Sequence, residues 1–244
     1  MTCLKGKIFK GIFFIVIPFG LLINNSFALA GDRLFLAGVE GGNGTDSLNH
    51  YTFIAVIAPF LNNNLGNGFV QKYWVDFIGY DYVADNETIK AIAPAVEGAL
   101  GYQMSGPKWW SSVYAGIRYS NTHLSPDNPD SSTRGDQTRI KLQVEGERTI
   151  ASQFKINAIC SYILRSDSYY VRWRGSYRIY NNEIYTGPEV VVMGDPDYRI
   201  WQWGWVIAGF KPASKWTVGV KAGIKKIINA HTGVYLGLEF TGLF

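Results

Sequence analysis

The chain has 244 residues, 47% of them hydrophobic and 15% aromatic, with 27 glycines and a formal net charge of +4. That charge is local: Lys5, Lys7 and Lys10 lie in an opening segment without acids, so removing it leaves +1 and no basis for a nucleic-acid partner. Of the two cysteines, Cys3 belongs to the same segment and Cys160 is left alone, which excludes a disulfide framework and a cysteine metal cluster.

The chain opens like an export signal. The three lysines precede an uncharged apolar run from Gly11 to Ile23, and Ala28-Leu29-Ala30 supplies the small-x-small pattern of a signal-peptidase site. The run is shorter than the roughly 20 residues of a membrane-spanning helix and contains Pro18. Residues 1–30 are therefore expected to be a signal peptide cleaved after Ala30, leaving residues 31–244 as one domain.

Past this point the helical period is weak and period two is strong. Candidate strands lie near 33–42, 50–61, 69–80, 95–104, 110–121, 137–149, 153–165, 168–180, 189–195, 199–210, 215–226 and 233–244. From Ser112 to Ser120, Val113, Ala115, Ile117 and Tyr119 oppose Ser112, Tyr114, Gly116, Arg118 and Ser120. From Arg139 to Glu147, Ile140, Leu142 and Val144 oppose Arg139, Lys141, Gln143, Glu145 and Glu147. The clearest case is Ser168 to Ile179, where Tyr169, Val171, Trp173, Tyr177 and Ile179 oppose Tyr170, Arg172, Arg174 and Arg178. From Trp216 to Lys225 the same split separates Val218, Val220 and Ile224 from Lys221 and Lys225. Pro94 and Pro188 cannot donate to a ladder, so the fourth and ninth strands are expected to begin after them or to bulge there. The turns fall at residues 62–68, Asn181-Asn182 and Gly194-Asp195-Pro196-Asp197.

A soluble β-sandwich produces the same period. Three features favour an all-β, antiparallel transmembrane up-and-down barrel of about twelve strands, with ten as the alternative. The segments match the roughly 9–11 residues of a membrane-crossing strand, and aromatics gather at their ends, as at Trp109-Trp110, Trp201, Trp203, Trp205 and Trp216. An exported address agrees with a closed barrel. The last strand, from Val234 to Phe244, alternates and ends in phenylalanine, like the terminal signal of outer-membrane barrels. An even strand count puts both termini on the periplasmic side and the long stretch from Asn121 to Gly135, with Pro126, Asp127, Pro129 and Asp130, on the outside.

YSNTHLSPDNPDSSTRG from Tyr119 to Gly135, followed by IKLQVEGE, resembles the bacterial cellulose-biosynthesis protein BcsS family. So do SDSYYVRWRGSYRI from Ser166 to Ile179 and YTGPEVVVMGDPDY from Tyr185 to Tyr198. The resemblance covers most of the mature chain. It implies an accessory component encoded with a cellulose synthase system and working at the envelope, with cellulose or glucan or other export components as partners, and it carries over no catalytic residue or cofactor.

On the barrel reading the charged faces line the lumen. Glu40, Asp76, Glu97, Glu145, Glu147 and Glu239 are placed to meet Arg118, Arg139, Lys141, Arg172, Arg174, Arg178, Lys221 and Lys225, and buried charges must pair or hydrate. The result is either a packed polar plug or a narrow hydrated path in which Arg118, Tyr170, Arg172, Arg174, Arg178, Glu97 and Glu145 contact a sugar or small solute. A wide pore needs a larger barrel. An alternative is a lipid-modifying enzyme using His123 and Ser125, with Asp127, Asp130 and Arg134 nearby; His50 and His231 are the other histidines. That stretch reads more simply as turn chemistry. The expected protein is thus a non-enzymatic outer-membrane accessory factor in contact with outer-membrane lipid.

Overall fold

A computed structural model describes residues 32–43, 48–61, 63–179, 183–196, 198–228 and 232–244. The expected signal peptide, the Asn181-Asn182 turn, Asn62, Asp197 and His231 lie outside the described residues.

The strands are β1 (Leu34–Asn43), β2 (Leu48–Pro59), β3 (Gly68–Ala84), β4 (Glu87–Gly106), β5 (Trp109–Ser125), β6 (Gly135–Ala151), β7 (Phe154–Ile163), β8 (Ser168–Ile179), β9 (Ile184–Gly194), β10 (Arg199–Ala213), β11 (Trp216–Ile227) and β12 (Thr232–Leu243). Each pairs antiparallel with its neighbours in sequence, and β12 closes on β1, so the sheet is an up-and-down barrel without an edge.

The alternation explains why the sheet closes around its polar face. Ile117, Leu236 and Trp205 are 61%, 60% and 56% exposed on the outside, whereas Lys72 and Glu189 are fully buried inside. A soluble sandwich buries its apolar face and wets its charges. This chain does the reverse, which removes the sandwich alternative. On β10 the outward side chains Trp201, Trp203, Trp205, Ile207 and Phe210 are all exposed. They span on the order of 25 Å at ordinary strand rise and tilt, the height of a barrel's lipid-facing band. At the termini end, Trp216 stands edge-on to Phe35 at 5.4 Å and to Phe244 at 5.2 Å. The Phe244 N–H donates to the Arg33 carbonyl at 2.9 Å, tying the last residue to the start of the barrel.

Both prolines correct the expected strand starts. β4 and β9 run straight through Pro94 and Pro188. Pro94 stays in register with Phe77 of β3, while the ladder to β5 skips from Ile92 to Ala95. Pro188 stays in register with Trp205 of β10, while the ladder to β8 skips from Thr186 to Glu189. In each case the missing N–H faces one neighbour only, so the strand loses ladder contact on that side and is held by the other.

The barrel is not equally tall all round. β3, β4, β5 and β6 are 17, 20, 17 and 17 residues long. Residues beyond Gly79 on β3 have passed the last pair with β2, and residues before Lys141 on β6 precede the first pair with β7. This wall rises past its neighbours at the end opposite the termini. The chain crosses its top through the tight Asp85-Asn86 turn, both residues in the left-handed region, and through the loop 126–134.

Candidate functional site

The lumen is crossed by two groups of paired charges, each built on its own part of the wall. In the first, Lys72, Ala99, Gly116 and Lys141 fall in one inward row across β3, β4, β5 and β6. The two small residues between the lysines leave room for both to converge on Glu97, at 2.7 Å from Lys72 and 2.8 Å from Lys141. Lys72 also donates to Gln143 at 2.9 Å, and Gln143 donates to Glu145 at 2.9 Å. Lys72 and Lys141 each lie 5.7 Å from the centre of the Trp74 ring, and Phe53 stacks on that ring at 4.4 Å. Alongside, Arg118 grips Asp76 with two hydrogen bonds of 2.5 and 2.8 Å.

The second group spans β8, β9, β11, β12 and β1. Lys221, Gly237 and Glu40 share one row, and a Cβ on Gly237 would lie 2.8 Å from the Lys221 Cε. Glycine therefore lets Lys221 lie flat across β12 to reach Glu40 at 2.7 Å, with Glu239 at 3.5 Å and Glu189 at 3.8 Å. Arg174 donates to both oxygens of Glu239, at 2.7 and 2.8 Å, and also pairs with Glu189. Arg172 pairs with Glu239 at 3.5 Å and donates to Asn157 at 3.1 Å, while Gln202 donates to Glu40 at 2.6 Å. One row towards the loops, the buried Asn49 amide and the buried Tyr235 hydroxyl have no hydrogen-bond partner. Buried atoms of this kind call for water, as do the unpartnered Ser112 hydroxyl and Arg139 Nη1 on the β3 to β6 wall.

Above the charges, the tall wall turns aromatic. Tyr80, Tyr82, Ile89 and Ala91 pack with Leu124, and the Tyr80 ring meets Tyr198, from the turn before β10, at 4.6 Å. Tyr82 accepts a hydrogen bond from Asn128 of the 126–134 loop.

Most residues expected to line the lumen do so. Arg118, Glu97, Glu145, Arg172 and Arg174 belong to the two groups, and Tyr170 faces inward beside them, half-buried. Arg178 sits apart, at the termini end of β8. Lys72 and Glu189 were missed. Lys72 stands among aromatic neighbours and Glu189 follows Pro188, so neither segment shows a clean split, although position parity with Asp76 and with Val191 marks both as inward.

The loop candidates are divided rather than gathered. β5 extends to Ser125, so His123 and Ser125 are strand residues with exposed side chains and not part of a loop. No hydrogen bond joins the two. Arg134 grips Asp127 at 2.5 and 2.7 Å in the open, and the Asp130 N–H donates to Asn128. Beneath them is a polar cavity of about 480 Å³ lined by His123, Asp127, Ser131, Arg134 and Asp136 among others. Asp136 is held by Tyr119 and Asn121.

A closed barrel with charges inside and apolar side chains outside is the fold of outer-membrane channels. The chain is similar to an outer membrane channel from Pseudomonas putida F1, with a TM-score of 0.54 at 10% identity, covering 88% of this chain and 96% of that one. It is also similar to a mutant of TodX, a monoaromatic hydrocarbon channel, with a TM-score of 0.50 at 6% identity, covering 91% and 93%. At these identities the likeness is one of fold. No curated protein matches the sequence. The sequence from residue 34 to residue 244 matches the family model for cellulose biosynthesis protein BcsS, and the chain belongs to that family. The expected resemblance thus holds over the whole barrel, and membership ties the protein to cellulose biosynthesis.

Proposed function

We propose that the protein is a non-enzymatic accessory factor of bacterial cellulose biosynthesis and secretion, inserted in the outer membrane after cleavage of residues 1–30. Both termini then face the periplasm, and the loop end, with the tall wall, faces outside. The observation that carries this reading is a lumen crossed by two groups of charges paired with one another, inside a barrel of the cellulose biosynthesis family. Such a lumen offers no wide path for a polymer. The stacking face that a sugar would need on Trp74 is taken by Phe53, and the two lysines crowd the same ring. Interaction with glucan or with other export components falls to the loop end.

The lipid-modifying alternative draws no support from His123 and Ser125, which share no hydrogen bond and lie on an open strand, where a nucleophile needs its base within reach. Deletion of the gene, complemented by the wild type or by a His123→Ala, Ser125→Ala double variant, tests the proposal. Secreted cellulose should fall on deletion and return fully with either copy, with membrane lipid composition unchanged throughout. Normal cellulose output in the deletion strain would sink the accessory role.

A further inference from the structure

On the outer surface at the loop end, an open groove of about 610 Å³ is lined by Trp201, Trp203, Ile224, Lys226, Ile228 and Thr232. The register orders it. Trp201, Lys226 and Thr232 form one outward row, and Trp203, Ile224 and Val234 form the next row towards the barrel's middle. The Ile228 N–H donates to the Arg199 carbonyl at 2.9 Å, continuing the ladder and setting Arg199 in the outward row on the loop side of Trp201.

The lower row is wholly apolar and open, with Trp203, Ile224 and Val234 exposed by 55%, 53% and 58%. The upper rows carry two exposed cations, Arg199 and Lys226, and neither makes an ion pair among the described residues. A lysine facing lipid costs about 2–4 kcal/mol at the bilayer midplane but about 0–1 near the interface, so Lys226 marks the edge of the hydrocarbon. Indoles favour that same level. Diagonal neighbours on a sheet lie about 7–8 Å apart, within the span that two long cationic side chains need to grip one phosphate from both sides.

We infer that this groove binds lipid A, its phosphate held by Arg199 and Lys226, its sugar against Trp201, and an acyl chain over Trp203, Ile224 and Val234. The inference rests on the orientation proposed above, which puts the loop end in the outer leaflet, where the phosphorylated glycolipid resides. Acyl chains alone would be satisfied anywhere on the apolar band. What singles out this groove is the pair of unneutralised cations at its upper edge.

The test uses the full mature barrel, purified from the outer membrane, freed of lipid in detergent and titrated in native mass spectrometry with lipid A, phosphatidylglycerol or phosphatidylethanolamine. The wild type should retain one lipid A and prefer it over both phospholipids. The Arg199→Ser, Lys226→Ser variant should lose that binding at least tenfold while Lys90→Ser, a loop-end cation on β4, leaves it unchanged. Equal retention by wild type and double variant, or phosphatidylglycerol bound as tightly as lipid A, would overturn the site. The unboiled and boiled gel mobilities of each preparation separate the two readings: a heat-modifiable band with no lipid A preference overturns the site alone, and absence of that band overturns the membrane reading beneath it.

Discussion

The two charged groups in the lumen use the same device, long side chains laid over small residues, but share their partners differently. On β3 to β6 a single carboxylate, Glu97, holds both Lys72 and Lys141, and Arg118 is served separately by Asp76. On β8 to β1, Glu40, Glu189 and Glu239 are distributed among Lys221, Arg172 and Arg174, so that Lys221 and Arg174 each touch more than one acid. The first arrangement hangs on one residue. The second has spare connections. A buried pair contributes little net stability against an apolar substitute, yet removing one partner is costly because the other charge stays behind unpaired. The difference between the walls should therefore appear when a hub is removed.

The largest effect is expected for Glu97→Ala, which strands Lys72 and Lys141 together. A loss of about 3–5 kcal/mol is expected, read as a lowered urea midpoint of the folded barrel in lipid vesicles. Next comes a probe of the outer face: Ile117→Arg, in the exposed apolar band, should cost about 2–4 kcal/mol if that band lies at mid-membrane. The same unfolding titration measures it, and a negligible change would place Ile117 out of lipid. Glu239→Gln should cost less than Glu97→Ala, because Arg174 keeps Glu189 and Lys221 keeps Glu40. An equal or larger loss would erase the distinction between the walls. Smallest is Asp127→Asn, which breaks an exposed pair with Arg134 and should change stability by no more than about 1 kcal/mol.

Much of the architecture was legible in the sequence because a barrel repeats one rule in every strand. On β8 and β6 the alternation is nearly unbroken, and it correctly separated Arg172 and Arg174 from Val171 and Trp173. It failed where a residue's role depends on one neighbour. Pro94 and Pro188 read as strand starts or bulges, since nothing local says that only one of two flanking ladders is interrupted, with its register kept. The loop-end extent of β5 was hidden by turn-forming residues, which placed His123 in a loop. Pairing was less legible still. That Lys72 and Lys141 converge on one carboxylate follows from three successive registers, each set by the turns, and position parity can only list the groups that face inward.

Paired charges block the lumen, and single-channel recording of the purified mature barrel in a planar bilayer is the decisive check. The wild type should show no steady porin-like conductance, while Glu97→Ala, if it remains folded by gel mobility, should show more frequent openings. A stable open-pore conductance in the wild type would contradict the account and make the protein a channel.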